Sequence, residues 1–180
     1  KLGNAVSMTS SVESAFGSRV MSEGMILNNQ LTDFSFQSKD KNGSQAFNAV
    51  APGKRPMSSM TPTIIFDPDG NLFALVGSPG GISIISYVAQ TIISLIDLNY
   101  SMQKSISESR FLVRGKNTIL EKNPTMTKYK NELKKLGHNI LIRNQYSGLH
   151  GIRLKRNTSG YKIDGGADPR REGKIEFTSF

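Results

Sequence analysis

The sequence has no cysteine, no tryptophan and only two histidines. Without cysteine it can form no disulfide, no thiolate nucleophile and no cysteine-held zinc. His138 and His150 have no carboxylate at metal-ligand spacing, so both read as surface or loop residues and no metal or other cofactor is expected. Acidic residues are scarce: 14 Asp and Glu face 23 Lys and Arg, for a net charge of +9. That balance suits nucleic acid, an anionic membrane surface or an acidic partner. Yet Lys128, Lys130, Lys134, Lys135, Arg143, Arg153, Lys155 and Arg156 are spread over a helix, strands and turns. They are not interleaved with aromatics as a base-stacking platform requires, and no nucleic-acid partner is expected. Long hydrophobic runs are missing as well. The stretch from Gly77 to Leu95 is broken by Ser78, Pro79, Ser83, Ser86, Gln90, Thr91 and Ser94, and reads as the entry to a buried helix rather than a membrane span. The first residues do not read as a signal peptide.

What is present fits a soluble globular domain. The chain has 180 residues, 37% of them hydrophobic, with 17 glycines for tight turns. Lys1 to Asn4 followed by Ala5 to Thr9 predicts a turn and then a strand, and Met25 to Asn29 a second short strand. Residues 37–54 are polar and read as a long surface loop. The apolar runs Thr61 to Phe66 and Leu72 to Val76 flank Asp67-Pro68-Asp69-Gly70-Asn71, a hairpin signal. Their nearly continuous apolar character predicts strands covered on both faces. Gly77, Gly80 and Gly81 lead into a helix from Ile82 to Leu98, apolar on more than one side. A second helix is expected from Pro124 to Leu136 with Gly137 as its C-cap, followed by a strand over 139–142. Residues 152–155 and 161–163 flank Asn157-Thr158-Ser159-Gly160 as another hairpin. The pattern predicts a layered α+β domain.

Five stretches carry a resemblance: Gly3-Asn4-Ala5-Val6; Leu27-Asn28-Asn29-Gln30-Leu31-Thr32-Asp33-Phe34; Arg55-Pro56-Met57-Ser58-Ser59-Met60-Thr61-Pro62; Gly77-Ser78-Pro79-Gly80-Gly81; and Gly166-Ala167-Asp168-Pro169-Arg170-Arg171. In order and spacing they resemble the small subunit of the γ-glutamyltranspeptidases. The resemblance implies a four-layer αββα sandwich of the N-terminal-nucleophile hydrolase type. Residues 1–171 would be the small-subunit domain, lacking its first strand, and 172–180 a tail. It also implies a self-cleaving precursor whose new N-terminal Thr is the nucleophile, with its own α-amino group as base. That Thr is expected shortly before Gly3 and does not lie among these residues, so the chain alone is expected to be inactive. The implied partners are the large subunit, a γ-glutamyl substrate such as glutathione, and a water, amino-acid or peptide acceptor. Export to the periplasm or medium follows the family, and a cytoplasmic location would suit a remnant without a signal peptide.

The same resemblance assigns roles. Ser58 and Ser59 would hold the substrate's α-carboxylate through paired hydroxyls. Gln30 and Asp33 would receive its α-ammonium. Gly80 and Gly81 would supply the oxyanion-hole N–H groups, glycine permitting close approach. Ser11 stands where many members have Thr and keeps the hydroxyl that assists the nucleophile. Glu13 stands where many have Asn; its carboxylate would bind the α-ammonium, and the change also resembles relatives that act as acylases on other amides. Two alternatives therefore stand beside γ-glutamyl transfer: a cephalosporin- or glutaryl-type acylase, and a non-catalytic remnant serving as a basic binding module.

Overall fold

The computed structural model describes residues 3–158 and 160–177. The chain forms two compact units, one of Ser10–Ser58 and one of Lys1–Thr9 with Ser59–Phe180.

In Ser10–Ser58 regular structure is sparse. Strands β1 (Met21–Ser22) and β2 (Met25–Ile26) pair antiparallel across Glu23 and Gly24. Both turn residues have positive φ, 49° and 76°, the geometry that matches the twist of a tight hairpin. The strand expected over 25–29 is thus only two residues long. Beyond it, Leu27 O accepts from the Ser18 N–H and hydroxyl. Gly17 makes this approach possible: at φ 48°, a Cβ there would lie 2.2 Å from Leu27 O. A single 3-10 turn follows at Gln30–Asp33. Residues 37–54 form the expected loop, with isolated bridges Lys39–Gln45 and Ser35–Ala49.

The other unit is built on a four-stranded sheet. Strands β3 (Thr63–Phe66) and β4 (Leu72–Gly77) form the expected hairpin. Asp67 Oδ1 accepts from the N–H groups of Asp69 and Asn71 and closes its turn. The 3-10 turn Gly81–Ser83 then leads into helix α1 (Ile84–Ile96), followed by α2 (Met102–Ser107). The second of these helices was not expected, although Ser101 caps it by accepting from Lys104 N–H. Strands β5 (Phe111–Arg114) and β6 (Asn117–Glu121) make a hairpin, also not expected.

The helix expected over 124–136 is two short helices, α3 (Pro124–Thr127) and α4 (Lys130–Lys135). At the break Tyr129 N–H reaches back only three residues, to Met126 O, so the helix tightens and restarts. Gly137, at φ 89°, ends α4 as expected: its N–H bonds Lys134 O and His138 N–H bonds Leu133 O, a Schellman closure. Strand β7 (Asn139–Arg143) runs parallel to β6. Strands β8 (His150–Asn157) and β9 (Gly160–Ala167) complete the larger sheet, whose order is β3-β4-β8-β9. His150 accordingly lies in a strand rather than a loop. Ser159 of the hairpin turn, Lys1 and Leu2 of the opening turn, and residues 178–180 of the expected tail lie outside the described residues.

Two further expectations are corrected. Residues 5–9 pair with no strand among the described residues; they alternate in exposure like an extended segment, with Val6 and Met8 about four-fifths exposed. The hairpin strands are also not alike. Strand β4 is buried at Ala74, Leu75 and Val76, but β3 alternates, leaving Ile64 and Phe66 exposed. It lies at one edge of the sheet and, among the described residues, pairs with a strand on one side only.

Helix α2 packs on β8 and β9, and α1 packs on α2. The core between them holds Val76, Tyr87, Leu95, Met102, Ile106 and Leu149. A charged cluster closes one end. Arg110 is fully buried and donates to the last carbonyls of α2, Ser105 O (2.9 Å) and Ile106 O. A cation is favoured at that negative helix end, while burial and the nearby Arg170 push its pKa down to about 10. Arg170 forks onto both oxygens of Glu121, at 2.7 and 2.9 Å, and reaches Asp168 Oδ1 at 3.1 Å.

Candidate active site

Glu13, Gln30 and Asp33 belong to the Ser10–Ser58 unit, with Ser11 and Ser58, and Ser59, Gly80 and Gly81 belong to the other. Within the first, Glu13 has φ 71°, a left-handed conformation uncommon for a residue with a side chain. Its neighbours hold it there. Ser11 Oγ accepts from the Glu13 N–H at 2.8 Å. Glu13 Oε2 accepts from Ser14 Oγ at 2.6 Å and from Asn29 Nδ2 at 2.7 Å. These hydrogen bonds, Ser14's foremost and Asn29's next, hold the Glu13 carboxyl below its ordinary pKa, and they outweigh the opposing desolvation.

Asn29 also fixes the backbone, since its Oδ1 accepts from Ser14 N–H at 3.0 Å. One residue on, the Gln30 side-chain amide donates to Asp33 Oδ2. Both residues are half-buried, and this bond joins them across the 3-10 turn. Asn48 ties this turn to Met57, the residue before Ser58: its amide donates to Asp33 O at 2.6 Å, and its Oδ1 accepts from Met57 N–H at 3.0 Å. Ser58, next in sequence, is exposed, and Ser59 is half-buried.

Sequence reasoning missed Asn29 and Asn48 as organising residues. For Asn29 a signal existed, because it lies inside the Leu27 to Phe34 motif. Asn48 sits in a featureless loop, and only the fold shows its role.

In the second unit, β4 ends at Gly77 and the chain turns through Ser78 and Pro79 to Gly80 and Gly81. The two glycines have φ of 138° and 56°. Neither N–H finds a hydrogen-bond acceptor among the described residues. They sit where the chain enters the 3-10 turn and α1, and free N–H groups at a helix entry favour negative charge. Glycine is required at 80 on two grounds, the φ value and the Tyr87 ring, whose Cε2 would lie 2.9 Å from a Cβ there. The arrangement suits a carbonyl oxygen that gains charge during acyl transfer. Among the described residues no group of His, Asp or Glu is placed to hold a metal ion.

These elements and glycine-lined turn define a mixed α/β protein of the N-terminal-nucleophile hydrolase type. The chain superposes on a point mutant of Helicobacter pylori gamma-glutamyltranspeptidase with a TM-score of 0.84 and 33% identity, over 94% of this chain and 95% of that one. The chain belongs to the gamma-glutamyltranspeptidase family, whose model matches residues 1–178. It is 39% identical to the glutathione hydrolase proenzyme of Bacillus subtilis (strain 168) over 138 residues, which are 76% of this chain and 22% of that protein. The chain thus spans about a fifth of the length of the curated relatives it matches. A more distant likeness is to a cephalosporin acylase from Bacillus halodurans, with a TM-score of 0.78 and 25% identity, over 94% of this chain and 31% of that one.

Proposed function

We propose that this chain supplies the acyl-binding and oxyanion-stabilising parts of an enzyme that transfers or hydrolyses γ-glutamyl groups, glutathione being the model substrate. The observation that carries this reading is the Gly80–Gly81 turn, with two unclaimed N–H groups at a helix entry. A developing oxyanion accepts from both, and each such donor contributes about 3 kcal/mol of transition-state stabilisation. Glu13, Gln30 and Asp33 receive the substrate's α-ammonium, and Ser58 and Ser59 its α-carboxylate. Ser11 holds the turn that carries Glu13. An N-terminal Thr outside this chain attacks the γ-amide carbonyl, releasing the amine; water or an amino acid then takes up the acyl group. The rest of the enzyme, a large subunit cut from the same precursor, is the partner.

The test is release of aniline from a γ-glutamyl anilide by the complete protein. Turnover that falls about a hundredfold in Gly80→Ala supports the reading. No turnover by the complete protein sinks it.

A second reading, an acylase acting on other amides, is favoured by the likeness to the cephalosporin acylase. A glutaryl amide lacks the α-ammonium that the carboxylates of Glu13 and Asp33 would pair with. Faster hydrolysis of a glutaryl than of a γ-glutamyl amide by the complete protein would select the acylase.

A further inference from the structure

Gly80 and Gly81 have no side chain to restrict their backbone, whereas an oxyanion hole works only when its donors are held to within about 0.5 Å. Something outside the turn must therefore hold Gly80 and Gly81 in place. Residues 145–149, between β7 and β8, meet the turn on both flanks. On one, Tyr87 donates from its hydroxyl to Gln145 Oε1 at 2.9 Å, while its ring lies against Gly80. On the other, Gly148 N–H donates to Ser78 Oγ at 3.3 Å, and a Cβ at Gly148 would come within 2.7 Å of Pro79 Cγ.

The segment is itself anchored. Asp168 Oδ2 accepts from the Ser147 hydroxyl at 2.6 Å and from Leu149 N–H at 3.1 Å. Its Oδ1 accepts from the Arg170 N–H at 3.0 Å. Burial alone pushes the Asp168 pKa up, but the hydrogen bonds from Ser147, Arg170 and Leu149 outweigh it and leave the carboxyl below its ordinary range. Ser78, Tyr87, Gln145, Ser147 and Asp168 are each at most 8% exposed. Polar groups this buried contribute little net stability over apolar ones of the same shape. What they add is a fixed geometry.

We propose that the 145–149 segment, anchored by Asp168, is a positioning element that aims the Gly80 and Gly81 N–H groups. Ser78 and Tyr87 are its two points of contact with the turn. The inference rests on the reading of those N–H groups as an oxyanion hole. It predicts that cutting either contact weakens transition-state binding and leaves ground-state binding intact.

The experiment uses the complete protein carrying Tyr87→Phe or Ser78→Ala, with Ser147→Ala as a third variant that touches neither contact directly. Each is assayed on a γ-glutamyl amide, and for binding of glutamate and of a boronic-acid analogue whose tetrahedral adduct places an oxygen in the hole. We expect kcat and boronate affinity to fall about tenfold, with KM and glutamate affinity kept within about twofold. Tyr87→Phe keeps the ring in place, so its fold is the safeguard if a serine variant fails to fold. Unchanged kcat in Tyr87→Phe and Ser78→Ala, or parallel losses for boronate and glutamate, would overturn the proposal. If the unmutated protein neither turns over the amide nor binds the boronate, the functional reading fails and takes the proposal with it. If it does both and the variants match it, the proposal alone fails.

Discussion

Asn29 Nδ2 donates a 2.7 Å hydrogen bond to Glu13 Oε2 across 16 positions of sequence. That bond, with the one from Ser14, keeps the Glu13 carboxyl charged to lower pH than usual. A depressed carboxylate adds stability above its unfolded pKa and loses it as pH falls through the lower folded value. Asn29→Ala removes one cause of the depression, so the Glu13 pKa should rise toward the ordinary carboxylate range. An NMR titration of the Glu13 carboxyl carbon in the two proteins checks this, and an unmoved midpoint would refute it. If Glu13 receives the substrate ammonium, the acid limb of kcat/KM should move to higher pH in the same variant.

Gly17→Ala places a methyl group where Leu27 O already sits, in a left-handed conformation. The hairpin carrying β1 and β2 must then open. The expected loss is at least about 1 kcal/mol, from strain alone. Urea unfolding of the complete protein measures it; a midpoint within error of the parent would show that the loop gives way freely.

Glu121→Ala leaves the Arg170 fork without its acceptor, in a site where both side chains are only 12–13% exposed. Arg170 keeps Asp168 and the Glu108 carbonyl as partners, so the expected cost is about 1–3 kcal/mol, below that of leaving a buried charge unpaired. The loss should persist in molar salt, which screens surface pairs but not this one. A loss that vanishes with salt would place the pair in solvent.

Strand β3 exposes Ile64 and Phe66 along a sheet edge. By itself the chain should associate through this edge, and Phe66→Lys should raise the concentration at which it stays monomeric. Analytical ultracentrifugation of the two chains compares them, and equal association would move the cause elsewhere.

If the proposed function holds, the chain alone should release no aniline from a γ-glutamyl anilide, since its threonines are internal and lack the free amine that the proposed nucleophile uses. Turnover by the purified chain would contradict both the assignment of the nucleophile and the division of labour between the two parts.

Local chemistry was legible wherever it is self-contained. Asp67 to Asn71 spells a turn because an Asp side chain can close it alone, and Gly137 ends a helix because φ 89° suits glycine. Gly77, Gly80 and Gly81 likewise marked the turn that leads into α1, where Gly80 and Gly81 have φ of 138° and 56°. The hairpin at Arg114 to Asn117, with Gly115 at φ 58°, carried a weaker signal and was missed. So was α2, only six residues long, whose Met102 and Ile106 become helical by packing rather than by periodicity.

The sequence by itself determined the family, the order of the main hairpins and which side chains are available for chemistry, since these depend on residue type and short spacing. Only the tertiary structure decided that Asn29 restrains Glu13, that Asn48 joins Asp33 to the residue before Ser58, and that Asp168 anchors the segment bracing Gly80. The bonds from Asn29 to Glu13, from Asn48 to Asp33 and from Ser147 to Asp168 span 15 to 21 positions, and that from Met57 to Asn48 spans nine. Such partners meet only after the loops between them close, and no local pattern records which distant group will be there.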